Sequence, residues 1–182
     1  MKTLIAGCAV AALLALAAGG CILTSGQIQL HFELPNLTAT SANNIIGEAV
    51  DLNEEEDYAD NKEDLQDISD LAVLGKITNH GGNAIHVEVW MTRDLTSYTT
   101  ETALKADSEA LPLWGPFALA GAETKQIDWD DSAALFSEAG KAVLLEEAKG
   151  DGTFTIYAIG VEGTYSFSVE HGALVLEIDI GI

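Results

Sequence analysis

The stretch LAVLGKITNHGGNAIHVEVWMT (Leu71–Thr92) has the pattern of two strands joined by a turn. Its second part, Ala84–Thr92, alternates apolar with polar side chains, a period of two that is typical of a strand with one buried face. Its first part, Leu71–Thr78, is another apolar run. The residues between them, 79–83, tolerate positive φ and favour a turn. We therefore predict two strands that form a hairpin.

Other segments continue the β pattern in both directions from this stretch. Gln27–Leu34 alternates strictly, and Pro35 ends the strand because proline cannot donate to a ladder. Further strands are predicted at 44–50, Leu111–Leu119, Thr124–Trp129, Thr153–Gly160, Tyr165–Glu170 and Leu174–Ile182, with His171–Gly172 between the last two. The pattern predicts a mainly β protein: an antiparallel, immunoglobulin-like β-sandwich of seven to eight strands.

Two helices are predicted between the strands. A short acidic helix is expected at about 61–68, where Leu65 and Ile68 have helical spacing. A longer one is expected at about 131–149, because Asp130 or Asp131 can cap its start and Lys149–Gly150 favours a stop. Its apolar stripe predicts that the longer helix covers one flank or end of the strands.

The chain begins with the layout of an export signal. Lys2 precedes an apolar run from Leu4 that is rich in alanine and leucine, and two glycines lead to Cys21. The run is about 15 residues long, which is shorter than the roughly 20 that a membrane-spanning helix needs. We therefore interpret it as a removable leader.

The residues before Cys21 resemble the lipobox of bacterial lipoproteins. That motif prefers Leu, Val or Ile, then Ala or Ser, then Gly or Ala before the cysteine; here Ala18, Gly19 and Gly20 hold these places. The resemblance implies that 1–20 is a lipoprotein signal peptide. It also implies that Cys21 becomes the first mature residue, carries diacylglycerol and a fatty acyl chain such as palmitate, and makes the lipid membrane a partner.

The same resemblance implies a cellular location and a domain organisation. Ile22, rather than Asp, follows the cysteine, which in a Gram-negative bacterium implies the outer membrane of the cell envelope. Residues 21–26 would form a tether and 27–182 a single domain. The alternative is ordinary signal cleavage near Ala17 or Gly19, which would release a protein with a free thiol.

The charge balance argues against a nucleic-acid partner. The chain has 8 basic and 29 acidic residues, and loss of 1–20 removes only Lys2, leaving 7 against 29 and a net charge of −22. Such a surface repels phosphate backbones, so we expect no nucleic-acid partner. The mature chain would keep only one of the two cysteines, Cys21, so no intramolecular disulfide is expected.

An acidic stretch at 51–70 carries the candidate metal ligands. Asp51, Asn53, Glu55 and Asp57 alternate like the oxygen ligands of a calcium loop. The glycine that an EF-hand requires is replaced by Glu56, so that motif is rejected. A looser calcium site stays open beside the simpler interpretation of a solvated acidic loop; otherwise no cofactor is expected.

The order of elements also resembles a known family. The strand pair in Leu71–Thr92 and the helix ahead of the final strands are similar to the water-stress domain of late-embryogenesis-abundant β-sandwiches. In that family Asn-Pro-Asn commonly stands near the first hairpin, where this chain has Asn79-His80-Gly81. The resemblance covers 68–182 and implies a β-sandwich.

The sequence favours a role without catalysis. None of the four histidines lies in a recognisable nucleophile motif. His31 with Glu33, and His86 with Glu88, could supply four metal ligands if their strands were neighbours. The acids are too numerous to single out a catalytic pair.

We therefore predict a membrane-anchored, surface-displayed lipoprotein with a binding or structural role. A calcium-dependent carbohydrate- or protein-binding module is the first alternative, and an exposed Trp90 or Trp114 near the acidic loop would favour it. A hydrolase with an unidentified carboxylate site is the second.

Overall fold

A computed structural model describes residues 25–42, 45, 47–93, 95 and 97–181. The strands in this part are β1 (Ser25–Leu34), β2 (Leu37–Thr40), β3 (Gly47–Asp51), β4 (Leu65–Asn79), β5 (Ile85–Thr92), β6 (Leu111–Leu119), β7 (Thr124–Ile127), β8 (Thr153–Gly160) and β9 (Ser166–Gly181). The α-helices are α1 (Glu56–Asn61), α2 (Glu101–Ala106), α3 (Trp129–Ala133) and α4 (Glu138–Lys149), and Leu52–Glu54 and Lys62–Asp64 are 3₁₀ turns.

The strands form two antiparallel sheets. Sheet A has the order β1-β9-β4-β7, and β2 pairs with the other half of the β9 edge that β1 uses; sheet B has the order β3-β8-β5-β6. The apolar faces of the two sheets pack on each other, as the alternating patterns require. The prediction of a mainly β sandwich is confirmed. The described residues include no helix whose length and apolarity would let it cross a membrane.

The core lies between the sheets. Leu30, Leu174 and Leu176 from sheet A are at most 1 % exposed, and Phe154 of sheet B is 0 % exposed. Burying each such side chain contributes roughly 1.5–3 kcal/mol. The predicted faces of β1 and β5 are confirmed, because their apolar positions are buried or half-buried while Gln27, Gln29, His31 and Glu33 are exposed.

The predicted hairpin in Leu71–Thr92 is wrong. Both strands exist, but β4 belongs to sheet A and β5 to sheet B, so residues 80–84 cross from one sheet to the other. Asn79 is buried and holds the crossing: its Nδ2 donates to the carbonyls of Asn83 and Ala120, both at 2.8 Å, and its Oδ1 accepts from the Gly81 amide. The turn residues indicated a reversal but not which strand would pair.

The strand inventory differs in two further places. Leu37–Thr40, which lies outside the predicted strands, is strand β2 and pairs with the first part of β9. The two strands predicted around His171–Gly172 are one 16-residue strand, β9. His171 has φ 53° and lies near a register shift in the β4 ladder, where Gly75 has φ 147°. Strands β4 and β9 therefore both continue through this register shift without a break.

Both predicted helices need correction. Leu65 and Ile68 belong to β4, and the acidic helix lies earlier, at Glu56–Asn61. Leu65, Ile68 and Leu71 are buried at intervals of three residues, which resembles helical spacing. In the structure this interval goes with register shifts at the start of β4.

The helix expected at about 131–149 is two helices, α3 and α4. Ser137 caps the second, accepting from the Gly140 amide at 2.9 Å, and Phe136 forms a β-bridge with Trp114. This bridge interrupts the helix because Phe136 takes extended backbone beside β6.

The two edges of the sandwich differ. We name as the closed seam the side where α3 and α4 pack beside β4 and β6, around Trp114, Ser132 and Phe136. We name as the open seam the other side, where Phe32–Leu37 of sheet A faces Glu48–Glu55 of sheet B.

Candidate functional site

The open seam contains two adjoining concave regions. The inner one, of about 60 Å³, is almost entirely apolar and reaches the middle of both sheets; it is lined by Leu34, Pro35, Leu37, Glu48, Val73, Val89, Ile156, Ala158 and Val169. The outer one, of about 200 Å³, is polar and is lined by Phe32, Glu33, Leu34, Glu48, Ala49, Val50, Asp51, Glu54 and Glu55. Leu34 and Glu48 line both, so the two regions form one groove.

The groove gives access to the core. Val73, Val89 and Ile156, which lie on middle strands of the two sheets, keep 6–7 % exposure, whereas Leu174 and Phe154 have 0 %. The atoms that line the recess lack dispersion contacts on its open side.

Strand β3 offers unpaired backbone groups to the groove. It pairs only with β8 among the described strands. The Leu52 amide donates to the Gly152 carbonyl at 2.8 Å, so the ladder bonds alternate through Val50 and Glu48. The amide and carbonyl groups of Ala49 and Gly47 therefore point away from β8.

Glu48 is the distinctive side chain of the groove. Val50 and Leu52 are buried, and period-two alternation turns Glu48 inward on the same face. Glu48 is half-buried, and its carboxylate has no hydrogen-bond or ion-pair partner within the described part of the chain. Neither set of groove-lining residues includes Lys, Arg or His, and every charged residue in the two sets is acidic.

The predicted calcium ligands lie beside the groove but do not converge on one point. The Asp51 carboxylate accepts from the Asn53 amide at 2.9 Å and from Asn53 Nδ2 at 2.7 Å. Asn61 Nδ2 donates to the Asp57 carbonyl, and Glu55 faces the groove. Within the residues described, no three or more His, Cys, Asp and Glu side chains are grouped to hold a metal ion.

A lysine occupies the position between the oxygens of this loop. Lys62 Nζ lies 3.3 Å from Asn53 Oδ1 and 3.2 Å from the Asp151 carbonyl, which also accepts from Asn53 Nδ2. The ammonium group thus supplies a positive charge next to the oxygens that a calcium ion would contact. Calcium binding stays an untested alternative; a thermal melt that shifts between millimolar calcium and chelator would support it.

The acidic stretch is tied to the rest of the domain by Tyr58. Its buried ring lies under Lys62, and its hydroxyl donates to the Ala148 carbonyl at 2.7 Å. Burial, together with the charges of Asp151 and Asp51, raises the pKa of Tyr58 to about 12. A Cβ on Gly152 would lie 2.5 Å from the Tyr58 hydroxyl oxygen, so glycine is required there. The stretch is therefore an ordered part of the fold.

The two His–Glu pairs are not brought together. His31 and Glu33 lie on β1 of sheet A, and His86 and Glu88 lie on β5 of sheet B. His86 Nδ1 is 2.6 Å from Glu162 Oε1, and Glu88 accepts from the Trp90 indole at 2.9 Å. The four-ligand arrangement would have required neighbouring strands, and this topology excludes it.

One open cavity of about 260 Å³ contains two carboxylates, those of Glu101 and Glu162. Partial burial raises the pKa of Glu162, but the hydrogen bonds from His86 outweigh this and leave it below its usual value. Glu101 accepts from the Tyr165 hydroxyl, and burial followed by this carboxylate raises the pKa of Tyr165. Both carboxylates therefore have hydrogen-bond donors among the described residues.

Neither Trp90 nor Trp114 forms an exposed stacking platform. Trp114 is 2 % exposed and stacks on Phe117. Trp90 is half-buried, packs against the cluster around Leu104, and has Lys105 Nζ 5.5 Å from its ring centre.

Cys21 and the leader lie outside the described residues, so their roles stay predictions. Sequence reasoning did not identify the open seam. A signal was present: Glu48 shares the period-two face of the apolar residues Val50 and Leu52.

No protein-family model and no curated protein sequence matches the chain. Solved structures with a similar arrangement include one of Desmodium yellow mottle tymovirus, at 8 % identity and a TM-score of 0.36, covering 86 % of each chain. Another is from Mud crab tombus-like virus, at 10 % identity and a TM-score of 0.36, covering 87 % of this chain and 81 % of that one.

Proposed function

We propose that the protein is a lipoprotein of the bacterial cell envelope, anchored through acylated Cys21, which displays a β-sandwich with a non-enzymatic binding or structural role. The observation that carries this proposal is the leader itself: an apolar run from Leu4 ends in two glycines and Cys21. Two or more lipid chains on one cysteine give durable anchoring, since each buried methylene contributes roughly 0.8 kcal/mol.

The position of the first strand supports a short tether. β1 begins at Ser25, four positions after Cys21. An extended chain of that length spans at most about 14 Å. The domain would therefore stand close to the lipid surface, on the outer membrane if the organism is Gram-negative.

Strand register indicates which end would face the membrane. Ser25 pairs with Gly181, and Leu65 pairs with Ile180, so the start of β1 and the acidic stretch before β4 share one end of the sandwich. The crossing at residues 80–84 lies at the opposite end, since Asn79 pairs with Phe167. The open seam runs along the side between these ends and would be reachable from the aqueous phase.

The groove at the open seam offers both unpaired backbone groups and an apolar recess. These are features that recognise a partner without chemistry.

The anchor is tested by the intact mass of the full-length protein extracted from membranes. The wild type is expected to lack residues 1–20 and to carry the mass of diacylglycerol and an acyl chain, whereas Cys21→Ala should carry none. Cys8→Ala is the matched control, because it removes the other cysteine and should leave the lipid mass intact. A wild-type mass without acyl chains would overturn the proposal.

A further inference from the structure

We propose that the open seam binds an extended, basic polypeptide segment, which adds a strand to β3 and places one apolar side chain between the sheets. The proposal rests on the binding role inferred above and specifies its partner class. It does not depend on the lipid anchor. Three independent properties of the groove support it: its backbone, its shape and its charge.

The backbone of β3 is suited to strand addition. Val50 and Glu48 take part in the ladder with β8, and the amides and carbonyls of Ala49 and Gly47 point away from it; Ala49 lines the groove. Ala49 is exposed, so no bulky side chain on its outward face blocks an approaching chain. An extended peptide can satisfy these groups with main-chain hydrogen bonds, which is how sheet-edge recognition generally gains affinity.

The shape of the inner recess fits an aliphatic side chain. Its volume of about 60 Å³ is well above the roughly 10–15 Å³ that a cavity needs to hold one water, so it has room for a small group. Its walls are aliphatic apart from Glu48 at the mouth. Water gains few hydrogen bonds in such a site, so an apolar group is its natural occupant.

The charge of the groove selects a basic partner. Glu33, Glu48, Asp51, Glu54 and Glu55 line its outer part. Glu48 matters most, because it is half-buried, faces inward and has no partner among the described residues. A partly buried carboxylate gains more from a cation than an exposed one does, since the surrounding dielectric is lower. A lysine or arginine next to the apolar anchor would supply that cation.

The same acids argue against other occupants. A second copy of this chain would bring identical carboxylates to both sides of the groove, and like charges that face each other across strands are destabilising. An inward-pointing charge on an edge strand is also a known means of preventing edge-to-edge association. Nucleic acids and anionic lipid headgroups carry the wrong sign.

Binding is tested with the full-length protein in detergent micelles and a fluorescein-labelled seven-residue peptide that alternates lysine with leucine or valine. Fluorescence anisotropy at 150 mM salt measures affinity, since the Debye length there is only about 8 Å and long-range attraction is screened. Three control peptides replace the apolar residues by serine, replace lysine by glutamate, or carry N-methyl groups on alternate amides. Each is expected to bind at least about tenfold more weakly.

Two protein variants locate the site. Glu48→Gln keeps the size of the side chain and should weaken binding of the parent peptide about fivefold or more. Glu138→Gln removes the same charge from a side chain that is 94 % exposed on α4, and should change the affinity less than about twofold. Matching melting temperatures would show that both variants are folded.

Several outcomes would overturn the proposal: equal losses in Glu48→Gln and Glu138→Gln, binding that survives N-methylation, or no binding of the parent peptide. Full-length Cys21→Ala should bind the peptide as the wild type does. Peptide binding without acylation would refute the anchor alone, and acylation without peptide binding would refute the groove alone.

Discussion

The closed and open seams differ in the contacts that cover the core of the sandwich. Both are edges where two sheets of one sandwich meet. In the closed seam, Trp114 Nε1 donates to the carbonyl of Ser132 at 3.1 Å and lies 3.0 Å from Ser132 Oγ, which also accepts from the Val73 amide at 2.7 Å. In the open seam, Glu48 has no such partner in the described structure. We therefore expect the closed seam to contribute more to stability than the open seam.

The largest effect is expected at Trp114. Trp114→Ala removes a ring that is 2 % exposed and leaves a cavity, which should lower the free energy of unfolding by about 3–5 kcal/mol. Urea unfolding followed by circular dichroism measures the change. Trp90→Ala is the matched control, because this half-buried ring should cost less than half as much. Equal losses would show that the closed seam is not the stability centre.

A smaller effect is expected at Ser132. Its hydroxyl is fully buried and serves the Val73 amide, so Ser132→Ala strands a buried N–H group and should lower the free energy of unfolding by about 1–3 kcal/mol. Ser69→Ala provides the comparison, since the Ser69 hydroxyl is exposed and donates to the Glu177 carbonyl. That change should stay within about 0.5 kcal/mol in the same urea experiment.

The open seam should tolerate substitution better than the closed one. Leu37 is half-buried at the edge of the groove, and Leu37→Ala should lower the free energy of unfolding by about 1 kcal/mol or less, because part of its surface is already hydrated. Leu113→Ala, at a fully buried position beside α4, should cost about 2–5 kcal/mol. A loss at Leu37 as large as at Leu113 would contradict the distinction between the seams.

The smallest effect concerns Asp151, which connects the acidic stretch after β3 with the end of α4. Hydrogen bonds from the Thr153 amide and hydroxyl, and the charge of Lys62, hold the pKa of Asp151 below its usual value. A depressed pKa in the folded state contributes stability at neutral pH that is lost as pH falls through that pKa. Asp151→Asn should therefore have a lower Tm than the wild type at pH 7, and the gap should narrow toward pH 3. A constant gap would assign the effect to shape rather than charge.

Local pattern was enough to locate most elements but not to pair them. The alternation in Gln27–Leu34 predicted β1 and its faces, because period two follows from strand geometry alone. The same argument located β4 and β5 but assigned them to one hairpin. Partner choice depends on residues far away in sequence, here the Ala120 carbonyl that Asn79 reaches across 41 positions.

The candidate site was harder to predict for a related reason. The groove needs Leu34 and Leu37 from one sheet and Glu48 from the other, and β1 and β3 do not pair. The acidic stretch, by contrast, was conspicuous as a calcium pattern, yet Lys62 and the backbone of Asp151 decide its contacts. Spacing along this stretch could not show that the Asp151 carbonyl, from beyond the end of α4, would approach Asn53 and Lys62.

The position of β9 has a consequence for how the chain is made. This strand pairs with β1, β2 and β4. These three strands cannot complete their pairing until residues 166–181 are available, and those residues are synthesised after all of them. Contacts across such long sequence separations form slowly. For a chain that is exported, as proposed, late completion of sheet A would keep the polypeptide open while it is threaded through a translocation channel and let it close only on the far side.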